Sequence, residues 1–278
     1  MEPYKFEMKG RAFDGSDRLD KVAAGLTALQ HVFDGQFRAL TDKKRLSDQD
    51  RRLLQVRIER YEDGSFIAIL GAIYTSVQTV LPFIQGTPNV WEATKNAFDF
   101  LEAIFKTAHE GESVTISQNG EGNTVVISGD THQVFNGPVY QIGTQIIGAV
   151  REFDELLEGD EVQEVALKGP NEAPVLRLTS DMKGLFLPPT RIDETPVRLA
   201  CDIYDFNKYE NVGKARVPLD QPIPPGNYRF KNVGRQAVED FILSMTEAQV
   251  SLVCLIKYQN DPLSESKIAE ILVTGIAA

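Results

Sequence analysis

The sequence predicts a mixed fold: an α+β N-terminal domain over residues 1–160, a small sheet carrying about three amphipathic helices, then an all-β barrel or sandwich over 161–278. Three observations predict it. In three stretches before residue 160, apolar residues recur at steps of three and four, the mark of helices with one buried stripe. After residue 160 the apolar runs shorten (PVLRLTS, PVRLACDIYDF, YRFKNV) and are broken by Pro, Gly and Asn, the pattern of short strands. Between Asp63 and Glu92 the run GSFIAILGAIYTSVQTVLPFIQGTPNVW carries no charge, in a chain that is 25% charged.

Tyr4 to Met8 reads as a short strand. Leu19, Val22, Ala23, Leu26, Leu29 and Phe33 stripe the first helix, with Ser16 or Asp17 as its cap and Asp20 in its first turn. Thr41 to Arg52 is a strongly charged loop. Leu54, Val56 and Ile58 alternate with polar residues as a half-buried strand, Asp63-Gly64 turns the chain, and Phe66 to Leu70 returns. Ile73, Val77, Val80, Leu81 and Ile84 then suit a helix that Pro82 bends or ends. Asn89 and Glu92 resemble a capping box opening a helix to about Ala108, with Trp91, Ala97, Phe98, Leu101, Ile104 and Phe105 on one face.

Ser113 to Ser128 is a second hairpin around Asn119–Gly122, and Gly129 to Gly137 reads as irregular. Val139, Ile142, Ile146, Val150, Phe153 and Leu157 mark the third helix. Beyond it the chain is read as strands, with a turn at Pro222–Gly226 and a strand or one short helix at Ala237–Met245. Val250–Lys257 and Ile268–Ile276 would be closing strands.

A net charge of −11 opposes non-specific attraction to phosphate backbones and anionic lipids, although a local basic patch can override the global sign. Nucleic acid is therefore not the expected partner. Two cysteines make neither a disulfide framework nor a zinc quartet. The opening MEPYKFEMKG lacks an apolar h-region, so cytoplasmic residence with reduced thiols is expected.

Candidate sites are sparse. His132, beside Asp130 in a polar stretch, is the best-placed histidine for acid–base work, but no nucleophile motif accompanies it. Asp14, Asp17 and Asp20 superficially resemble a cation loop; the helix begins too soon to complete one, and no metal or cofactor is expected. Ile73, Val77, Val80, Leu81, Phe83, Ile84 and Trp91 form the apolar set for membrane or partner contact, although a buried soluble core explains them more economically. Tyr228, Arg229, Phe230 and Lys231 interleave aromatics with bases, as single-strand nucleic-acid binders do; one alternating strand, aromatics inward, is the plainer account. On the strand through Cys201, alternation puts Cys201, Ile203 and Asp205 on one face, with both cysteines as core fillers.

The order of parts, with FDGSDRLD at the first helix, YEDGSF at the hairpin and the WEATKNAFDFLEAIFK helix ahead of a terminal barrel, resembles uncharacterised bacterial two-domain proteins. These are of the kind found in mobile-element and anti-phage-defence neighbourhoods. The resemblance implies a sensing or adaptor component with a protein partner, and brings no active-site residues. The expected function is thus a non-enzymatic cytoplasmic binding protein, with membrane engagement through residues 73–91 and a hydrolase using His132 and Asp130 as the alternatives.

Overall fold

A computed structural model describes residues 4–62, 66–74, 90–118, 124–128, 131–169 and 173–277. The fold is mixed α+β, and the chain divides into two compact units, Met1–Leu187 and Pro188–Ala278.

The first unit is built on a five-stranded antiparallel sheet in the order β2-β3-β1-β7-β8. Its strands are β1 (Tyr4–Lys9), β2 (Leu54–Glu62), β3 (Phe66–Tyr74), β7 (Glu164–Lys168) and β8 (Pro174–Thr179). β1 is central: Phe6 stands opposite Ala68 of β3 on one side and Leu167 of β7 on the other. The division between units therefore falls after Leu187, later than the expected break at 160. The texture of the sequence changes at 160, but β7 pairs with β1, at the other end of the unit, and β8 pairs with β7.

Three long helices supply the apolar stripes that the spacing predicts: α1 (Leu19–Thr41), α3 (Val90–His109) and α4 (Val139–Leu156), with a short α2 (Asp48–Leu53). Phe6, Phe33, Phe105, Phe153 and Phe186 are all fully buried. At the approach of α1 to α4, a Cβ on Gly35 would stand 2.7 Å from the Gln145 carbonyl oxygen, so glycine sets how closely the two helices pack. The α1 N-cap is Arg18, without a side-chain cap bond, rather than Ser16 or Asp17; Arg18 instead binds Asp20. A second sheet, β4 (Thr115–Gln118), β5 (Thr124–Ser128) and β6 (Thr131–Phe135), is antiparallel throughout. β6 occupies the stretch expected to be irregular.

The second unit carries β9 (Thr190–Asn207), β10 (Val212–Val217), β11 (Gly226–Asn232), α5 (Val238–Ser244), β12 (Val250–Gln259) and β13 (Lys267–Ala277). The strands pair in the closed order β10-β11-β13-β12-β9, returning from β9 to β10. Every pairing is antiparallel except β11 with β13. Leu199, Ile203, Phe230, Leu252, Ile256 and Val273 fill the interior with Cys201 and Cys254, and Phe241 of α5 packs against them. Ala237–Met245 thus contributes a helix, and GLFLP, at the end of the first unit, is a turn whose Phe186 is core.

Candidate functional site

Strands β10 (VGKARV) and β11 (GNYRFKN) carry four cations and no acid. Alternation turns Gly213, Ala215 and Val217 inward, with Phe230 across from Gly213. The same alternation leaves Lys214, Arg216, Arg229 and Lys231 exposed. Lys214 lies directly opposite Arg229, while Arg216 opposes Asn227 and Lys231 opposes Val212. Like charges directly opposite one another in a sheet are destabilising.

Two flanking acids soften this clash. Asp205 of β9 reaches Lys214 at 3.0 Å and Glu270 of β13 reaches Arg229 at 3.7 Å. The hydrogen bond and attraction from Asp205 raise the Lys214 pKa above its ordinary value, against an opposing push from Arg229. Among the described residues, Arg216 and Lys231 have no acid within ion-pair distance.

Aromatic side chains edge this face. β9 bulges at Tyr204: Asp205 pairs with Lys214, but the next register partner of Ala215 is Ile203. The extra residue turns Asp205 outward and corrects the expectation that it shares a face with Cys201 and Ile203. Tyr204 is 45% exposed, and Tyr209, in the β9–β10 turn, is 86% exposed with the Lys208 ammonium 5.2 Å from its ring centre. The inward thiols are a different environment: burial pushes the Cys201 and Cys254 pKa values up to about 12, which suits core fillers and not nucleophiles.

The residues singled out from sequence fare unevenly. In the set Tyr228–Lys231, Phe230 is fully buried, stacked with Phe206 and Phe241 at ring distances of 5.9 and 5.7 Å, and is closed to a base. Tyr228 is half-buried and donates its hydroxyl to the Pro224 carbonyl at 2.7 Å. Only Arg229 and Lys231 of the four reach outward. Trp91 is buried, stacked on Tyr4 at 3.7 Å and edge-on to Phe33 at 5.2 Å, so it belongs to the core rather than to a contact surface.

Ile73 lies in β3 opposite Gln55, not on a helix, because β3 runs on to Tyr74. Val77, Val80, Leu81, Phe83 and Ile84 lie outside the described residues. His132 sits in β6 with its backbone opposite Ile127, and Asp130 lies outside the described residues. Among the described residues no group of three His, Cys, Asp or Glu could hold a metal ion, and no helix is long and apolar enough to cross a membrane.

Lys214 and Arg216 are the part of this face that reading the sequence missed. The available signal was two neighbouring strands, each with cations two residues apart, which alternation places on one side. No protein family, curated protein or solved structure was found to match the chain.

Proposed function

We propose that this chain is a non-enzymatic binding protein that takes a polyanion, single-stranded nucleic acid, on the outer face of β10 and β11. The observation that carries the reading is the register of Lys214 against Arg229 within a strand pair bearing four cations and no acid. A phosphate backbone laid along this face would relieve that repulsion. The global charge of −11 is a weaker objection than it looks, because at physiological salt a phosphate responds to charges within about 8 Å. Tyr204 and Tyr209 supply exposed rings for bases to stack on.

Topology supports the same surface. Five strands in a closed order, one parallel pair and a helix between the third and fourth strands describe a Greek-key barrel of the oligonucleotide- and oligosaccharide-binding kind. Such barrels bind on the face of their second and third strands, which here are β10 and β11. The likeness is one of fold, and the charges are what favour a nucleic acid over a neutral glycan. A sensing component, the role implied by the sequence resemblance, fits a protein that holds nucleic acid.

The test is fluorescence anisotropy with a labelled, mixed-sequence single-stranded DNA across a salt series. Four phosphate contacts predict a slope of log affinity on log salt near −3, about −0.7 per contact. The double variant Lys214→Gln/Arg229→Gln should flatten that slope by about 1.4 while leaving the circular dichroism spectrum unchanged. Absence of binding at low salt, or binding indifferent to salt, would sink the reading.

A further inference from the structure

A second group of cations lies in the first unit, within a cleft of about 390 Å³ formed by α1, the segment after it and α2. Its walls bring together Arg38 from the last turn of α1, Lys44 and Arg45 from the connecting segment, and Arg51 from α2. Asp34 is the acid in the lining and is nearly buried. It is already engaged, accepting from the Gln30 amide at 2.7 Å and from the Arg51 guanidinium at 3.2 Å. His31 at the rim is held by Glu152 of α4 at 2.7 Å.

The segment is built rather than loose. The α1 C-cap, Asp42, adopts a left-handed backbone and donates its N–H to the Arg38 carbonyl. Five residues on, Ser47 opens α2 with a reciprocal cap: the Asp50 carboxylate accepts from the Ser47 N–H at 2.9 Å, and the Ser47 hydroxyl accepts from the Asp50 N–H at 3.2 Å. Asp50 also takes Lys43 as an ion-pair partner, which turns that cation out of the cleft set. The four cations that remain are balanced by one lining carboxylate.

Arg38 adds an independent sign. Its Nε is buried and, among the described residues, has no hydrogen-bond partner, an expense for a charged donor unless something else supplies the acceptor. The C-terminal end of a helix favours a cation, which accounts for one positive charge there but not for Lys44, Arg45 and Arg51. A guanidinium fork matches the geometry of a phosphate, and the cleft volume falls in the range of about 300–1,000 Å³ usual for small-molecule sites. We infer that this cleft is a binding site for a small phosphate-bearing molecule, with Arg38, Arg45 and Arg51 contacting the phosphate and Asp34 orienting Arg51. The site is separate from the β10–β11 face and stands or falls without it.

The experiment is isothermal titration calorimetry and thermal shift of the full chain with inorganic pyrophosphate and with adenosine monophosphate, against sodium sulfate at matched ionic strength. Saturable binding of one phosphate probe at one site per chain is expected, with a rise in Tm that sulfate does not reproduce. Arg45→Gln, a change at an exposed residue, should leave the unliganded Tm in place and weaken binding about tenfold or more. Arg38→Met should do the same, and Arg229→Gln should not. No Tm rise with either phosphate probe, an equal response to sulfate, or undiminished binding by Arg45→Gln and Arg38→Met would overturn the site.

Discussion

The molecule gathers its cations in two ways, and the contrast separates the kinds of anion they can serve. On β10–β11, strand alternation sets Lys214, Arg216, Arg229 and Lys231 in an open array on the outer face, with acids along its edges. In the first unit, chain reversal between α1 and α2 draws Arg38, Lys44, Arg45 and Arg51 into a concavity with an acid inside. An open row can follow an extended polymer but cannot enclose a ligand. A cleft encloses a compact anion but cannot follow a chain. Affinity on the row should therefore rest on counterion release and fall steeply with salt, whereas the cleft should discriminate by shape and hydrogen bonding.

The largest expected effect separates the inward and outward positions of the row itself. Phe230 and Arg229 are neighbours on β11, one fully buried and the other exposed. Phe230→Ala removes a ring stacked with Phe206 and Phe241 and should cost about 3–5 kcal/mol in urea unfolding. Arg229→Gln should stay within about 0.5 kcal/mol, because exposed ion pairs contribute little. Equal costs would mean that the outward cations serve the fold, and the comparison between row and core would collapse.

A smaller effect sharpens the other side. Lys43, with further help from Ser47, holds the Asp50 carboxyl at a pKa of about 2, against an ordinary 3.8. A depressed carboxylate pKa adds stability above the ordinary value and loses it as pH falls through the folded one. Asp50→Asn should therefore lower Tm at neutral pH, and the gap from wild type should close between about pH 4 and pH 2. A gap that persists unchanged into acid would show that Asp50 acts through something other than its charge, leaving the cleft segment without its anchor.

Periodicity disclosed the helices because their buried faces are local facts. Leu29, Phe33, Leu101, Ile146 and Phe153 are all core, and their spacing says so. The apolar stripe read from spacing stops at Phe33, although the buried face of α1 runs on through Asp34, Gly35 and Gln36. Their burial depends on distant partners: Gly35 on the Gln145 carbonyl, Gln36 on the Thr94 hydroxyl at 3.1 Å. Non-local pairing likewise hid the allegiance of β7, which bonds to the first strand of the chain, and of β8, which joins the sheet through β7.

The sites were less legible still. Strand alternation gave the inward Phe230 and outward Arg229, but the bulge at Tyr204, which places Asp205 beside Lys214, leaves no signature in residue types. For the cleft a signature was present. Ser47-x-x-Asp50 is a cap pattern inside a run that otherwise reads as charged loop, and it folds that run back on α1.

The smallest expected effect concerns a region that the comparison leaves out, the charge-free run ending at Trp91. Trp91 is the chain's one tryptophan, so its fluorescence reports on that position alone. Buried against Tyr4 and Phe33, it should emit to the blue of free indole and resist quenching by iodide. Vesicles of anionic or neutral lipid should not move the emission, since a residue stacked at 3.7 Å in the core has no free face to insert. Neither a saturating single-stranded DNA nor pyrophosphate should shift it, because the cations proposed to bind them lie on other elements. A blue shift with vesicles, together with a loss of the Tyr4 stacking, would instead mean that the first unit opens to lipid. The working surface would then be apolar, and neither set of cations would be the one that matters.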